Sequence, residues 1–141
     1  MKRQSRYSPK PPPGLRKRLA REQVSTIQIA HATNVREISE GRGDRQLLLD
    51  HCHSTLCWLT LARDYHERYG TLVECLRVLQ AAWAACQSMR SRFHTTGHVV
   101  FASHELQMAR EAQPYLDAMA ELVDECDAVA ATKAATRALA D

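Results

Sequence analysis

The stretch "HCHSTLC" places His51, Cys52, His53 and Cys57 within residues 51–57. Imidazoles and thiolates are the usual donors for zinc, and residues four apart on a helix share a face, so His53 and Cys57 can address one ion. A tetrahedral site needs further donors, which the segment "HTTGH" offers as His94 and His98. Against this, the spacing matches no standard zinc signature, and Cys52 falls on an apolar helical stripe where a small thiol is an ordinary filler. Cys57 with His94 is also a formal nucleophile pair, but no helix N-terminus or basic cluster adjoins a cysteine to favour its thiolate. The carboxylates of "ELVDECD" are spaced for one solvated helix face rather than for paired acid–base work. Phosphate loops of the GxxxxGK type, a dinucleotide fingerprint and HExxH do not occur, and "EGRGD" reads as a turn. The expectation is a protein that is not an enzyme and uses neither metal nor cofactor.

These residues lie on elements whose periodicity is helical. From Gly14, Leu15, Leu19, Ile27, Ala30, Val35 and Ile38 recur at helical distances, with a weak point at Asn34, until the glycines of "EGRGD" end the pattern. Asp44 is placed to cap a helix over residues 45–69, along which Leu48, Cys52, Thr55, Leu59, Ala62, His66 and Tyr69 form one stripe. Gly70 stops it, and "TLVE" predicts a capping box between Thr71 and Glu74. Leu72, Leu76, Leu79, Trp83, Cys86 and Phe93 carry the next helix, supported by Val78, Ala82 and Met89. "HTTGHVVFA" predicts an extended link over the end of the bundle, with Ser103 as the following cap. A last helix, marked by Leu106, Leu116, Met119, Val123, Cys126 and Ala130, should be kinked or divided by Pro114 near Gln113. The fold class is therefore all-α, an antiparallel helical bundle of four to five helices. Leu48, Leu59, Leu76, Leu79, Trp83, Leu116 and Val123 are expected to share its core.

The chain of 141 residues is long enough for one domain with a real core. Its net charge of +3 hides an asymmetry: residues 1–21 hold eight Lys and Arg and no acid, while the rest holds eleven basic and sixteen acidic side chains, a net of −5. Prolines of "SPKPPP" forbid regular helix, so residues 1–13 read as a basic, proline-rich arm and residues 14–141 as a single helical domain. Lys2, Arg3, Arg6, Tyr7, Lys10, Arg16, Lys17, Arg18 and Arg21 are the candidate partner-binding residues, because such cations pair with phosphates or carboxylates. Self-attraction between arm and acidic body is the alternative. "VSTIQIAHATNVREIS" has a superficial likeness to a DNA-reading helix pair, but lacks a turn glycine. An odd number of cysteines, five, argues for reduced thiols. No run approaches the ~18 apolar residues of a membrane span, so a cytoplasmic protein without membrane contact is expected.

Lys2, Arg3, Arg6, Tyr7, Pro9, Lys10 and Pro11 give the opening the form Lys-Arg-x-x-Arg-Tyr-x-Pro-Lys-Pro. It resembles the start of small helical accessory proteins from prophages, plasmids and integrative elements of proteobacteria. The later order is similar too: a helix ending near "EGRGDR", two long helices, a "TTGHVVF" link in place of that group's Thr-Gly-x-x-x-aromatic segment, and "SHELQM" opening the last helix. The resemblance brings no catalytic residues, and "HCHSTLC" has no counterpart in it. It implies an accessory protein of a mobile element, and the first reading of its function is that it binds and inhibits a host defence or regulatory complex in the bacterial cell, as inhibitors of CRISPR interference do. The second reading is a nucleic-acid-binding regulator of transcription or replication whose arm contacts phosphates.

Overall fold

The computed structural model describes residues 17–140 and is all-helical, with α1 (Arg21–Ser39), α2 (Arg45–Tyr69), α3 (Val73–Thr96), α4 (Ser103–Leu122) and α5 (Glu125–Leu139). Among the described residues there is no strand, and no helix is long and apolar enough to cross a membrane. Helix α2 packs against α1, α3 and α5, and α4 packs against α1 and α3.

Helix α1 starts at Arg21, later than the apolar pattern suggests, and runs unbroken through Asn34. Residues 24–39 are therefore one helix, with no turn for a DNA-reading pair. Val24, His31, Val35 and Ile38 face inward, whereas Ala30 is exposed. Asp44 caps α2 as expected, its carboxylate accepting from the Leu47 N–H at 2.8 Å. Just before it, a Cβ on Gly43 would lie 2.9 Å from Val99 Cγ1, so glycine lets this loop close against the α3–α4 link. Gly70 ends α2 at φ +68°, a left-handed conformation that glycine adopts without steric cost.

The capping box at α3 does not form. Leu72 is the N-cap, without a side-chain bond, and Glu74 pairs instead with Arg77. Along α3 the buried line is Cys75, Val78, Leu79, Ala82, Cys86 and Met89, while Leu76, Trp83 and Phe93 are half-buried at its margins. Small residues at the centre let α3 approach both α2 and α4, and the large ones wedge at the edges. Helix α3 extends through Thr96, so the link is shorter than expected; Val99 from it is buried. Glu105, fully buried in the first turn of α4, accepts from Arg92 at 2.8 and 3.0 Å and from the Ala102 N–H at 2.7 Å. Burial opposes the Glu105 charge, but these donors prevail and hold its pKa below the usual carboxylate value. Ser103 begins α4 rather than capping it.

Pro114 sits inside α4 without dividing it; the division falls at Val123–Asp124 instead. Proline removes one helical donor, yet its own side chain is exposed and the neighbouring Ala112 and Leu116 are buried, so packing holds the helix together across it. Val123 is extended, and the Asp124 carboxylate then caps α5 by accepting from the N–H groups of Cys126 and Asp127. This shifts the inward face of α5 to Asp127, Ala131 and Ala135, leaving Cys126 and Ala130 exposed. The apolar interior has two clusters. Leu59, Leu79, Leu116 and Val123 lie in one, and Leu48 joins Ile38, Cys52, Cys86, Met89 and Val99 in the other. Trp83 and Leu139 pack against both.

Candidate functional site

The arm's sequence leads into a corner built by the end of α2, the start of α5 and residues 17–18. Main chain fixes the entry: the Glu125 N–H donates to Lys17 O at 2.8 Å, and Arg18 forms an antiparallel bridge with Asp124. The Asp124 N–H donates to Tyr65 Oη at 3.0 Å, and the Tyr65 hydroxyl in turn donates to Asp127 Oδ2 at 3.1 Å. Arg68 donates through Nη2 to the same Asp127 oxygen at 3.1 Å and to Asp64, one helical turn before it. Its guanidinium carbon lies 4.9 Å from the Tyr65 ring centre and 5.8 Å from that of Tyr69.

Electrostatics keep this corner charged. Burial disfavours the Arg68 cation, but Asp64 and Asp127 more than compensate and raise its pKa. Burial is also the main reason the Tyr65 hydroxyl is pushed up to about 12, so it remains a donor. Asp64, Asp124, Glu125 and Asp127 outnumber Arg68, giving the corner an acidic surplus beside the basic segment. Such a network holds residues 17 and 18 against the start of α5. The "ELVDECD" carboxylates are thus not one solvated face, since Asp127 is buried and ion-paired.

Of the candidate partner-binding residues, Lys2, Arg3, Arg6, Tyr7, Lys10 and Arg16 lie outside the described residues, as does the arm of residues 1–13. Lys17, Arg18 and Arg21 are exposed. No family model, curated protein or solved structure matches the chain.

The His/Cys segment diverges around α2. Cys52 is fully buried, its thiol 3.9 Å from Cys86 O. His53 faces α5, with Nε2 2.9 Å from Thr136 Oγ1, and the Cys57 thiol lies 3.7 Å from Thr132 Oγ1. Burial raises the Cys57 pKa, the opposite of what a nucleophile requires. His94 and His98 are exposed near the far end of α3. Among the described residues no three His, Cys, Asp or Glu side chains gather as a metal site.

One pair escaped the sequence reading. His31 of α1 and His51 of α2 are each 3% exposed, with ring centres 5.3 Å apart. His31 Nδ1 is 2.9 Å from Ser54 Oγ, Phe101 meets His51 edge-on, and His51 Nδ1 is buried without a partner. Burial lowers His31 to about 4 against the pull of Asp117, and lowers His51 to about 3 with a further push from His31. Only the inward positions of His31 on α1 and His51 beside Cys52 hinted at it.

Proposed function

We propose that this chain is a non-enzymatic accessory protein of a bacterial mobile element, which binds and inhibits a host defence or regulatory complex in the cytoplasm. In this reading the helices form an antiparallel bundle that serves as a platform. The basic arm reaches an acidic surface on a host protein or nucleoprotein complex. The observation that carries the proposal is the combination of eight cations without an acid in residues 1–21 and a main-chain anchor where that segment enters the domain. An anchored base restricts where an arm can search, and so reduces the entropy lost on binding. Lys17, Arg18 and Arg21 are exposed just before and at the start of α1, where they can extend the same contact.

The test is to delete residues 2–12 and compare capture of bacterial complexes by the full and shortened chains, with and without nuclease and across a salt series. Weaker capture with unchanged helicity is expected. Equal capture at physiological salt would remove the arm from the interface. If binding instead needs nucleic acid and falls steeply with salt, phosphate contacts dominate and the regulator reading replaces the inhibitor reading. A lowered melting temperature after deletion would show the arm held on the acidic corner.

A further inference from the structure

At the end of the domain away from the arm's base, the start of α2, the last turns of α3 and the end of α5 enclose a cavity of about 250 Å³. Its polar side chains are basic ones: Arg45, Arg90 and His94. Arg90 and His94 are one turn apart on α3, and Arg45 is the first residue of α2, so three groups from two helices converge. None of the three forms an ion pair among the described residues. The carboxylates near the start of α2 are engaged elsewhere: Asp44 caps the helix, and Asp50 accepts from Gln46 at 2.8 Å. The floor is apolar, made by Leu48, Leu49, Phe93 and Leu139.

We propose that this cavity binds a phosphate monoester carried on a compact apolar or aromatic body. Two guanidiniums beside an imidazole supply the positive charge a phosphate dianion needs, and Arg can bind such a dianion through two parallel hydrogen bonds. The leucines and Phe93 leave room for a ring but offer it no hydrogen bond, so the body of the ligand is apolar. The volume, slightly below the ~300 Å³ at which ordinary ligand pockets begin, suits a compact molecule. The lining residues, Arg45 to Ala140, all lie outside the basic segment of residues 1–21.

The probe is phenyl phosphate, with inorganic phosphate and benzoate as comparison arms, followed by NMR shifts of the Arg45, Arg90, Phe93 and His94 signals. Saturable binding at least about tenfold tighter than that of inorganic phosphate is expected, weakened about tenfold or more in R90Q and in R45Q. Benzoate binding as tightly as phenyl phosphate would overturn the choice of a phosphate. Because an acidic residue, Asp141, follows Ala140 in sequence, the D141A variant is titrated alongside the native chain. Absence of saturable shifts in both the native chain and D141A would overturn the proposal. So would shifts that persist undiminished in an R45Q/R90Q variant with native circular dichroism.

Discussion

Lowering the pH from 7.5 to 5.5 should destabilise the protein through His31 and His51. Their folded pKa values of about 4 and about 3 lie below the ordinary value of 6.5, so the unfolded chain takes up protons first. Stability from keeping these rings neutral is fully present above 6.5 and is lost as the pH falls from there toward the folded values. At pH 5.5 both are still neutral in the fold but mostly charged when unfolded. Each then contributes a loss of about 1.4 kcal/mol, about 3 kcal/mol for the pair. Glu37, Glu74 and Glu105 have lowered pKa values, whose contribution is lost only below about 4.5, outside this window. Asp117 of α4, the carboxylate acting on His31, has its Oδ1 held by Gln113 at 2.8 Å. Urea unfolding at several pH values measures the effect as a slope of about two protons. His51→Leu removes one titrating ring and its unpartnered nitrogen, so the slope should fall by about half. An unchanged midpoint between pH 7.5 and 5.5, or an unchanged slope in a folded H31N/H51L variant, would refute the reasoning.

Leu79→Ala should cost about 2–5 kcal/mol in chemical denaturation, since Leu79 is fully buried between helices. Asp127→Ala should cost about 1–3 kcal/mol, because it strips the Tyr65 hydroxyl of a buried acceptor while Arg68 keeps its pairing with Asp64; a double-mutant cycle with Tyr65→Phe should show strong coupling. Chelator and reductant should leave the melting temperature unchanged, and chelator-induced unfolding would show a structural metal.

The fold was legible wherever local chemistry and burial agreed. Asp44, Gly70 and the Leu48–Leu59–Ala62 stripe all point to α2, and α2 forms as read. Pro114 misled because a missing backbone donor is a local cost, whereas burial of Ala112 and Leu116 on either side acts over the whole helix. The real division at Asp124 carries only a capping signal, which competes with the look of "ELVDECD" as a continuous charged face. Thr71 and Glu74 have the right spacing for a box, but α3 begins after Leu72 and leaves Thr71 outside its first turn. Periodicity places Leu76 and Trp83 at the centre because large apolar residues dominate it. Close helix contact selects cysteine and alanine there instead.

The two candidate sites differ in how far sequence could reveal them. A run of cations without acids is visible as composition, but its anchor is not: Lys17 and Glu125 meet through backbone atoms that carry no residue signature. Likewise Arg45, Arg90 and Leu139 come from three helices, and only packing gathers them. The two ends of the described residues differ in electrostatics, with an acidic surplus where the basic segment enters and, where α5 finishes, the guanidiniums of Arg45 and Arg90, which form no ion pair among the described residues. On the proposed reading, an anionic partner drawn by the arm would be repelled by the half-buried Asp64 and the exposed Glu125 beside the arm's base. Neutralising this corner with Asp64→Asn and Glu125→Gln should therefore strengthen capture of an acidic partner at low salt, with the gain vanishing as salt screens the repulsion. Weaker capture would show that the corner's acids face basic groups of the partner, and the arm would then be only part of the interface.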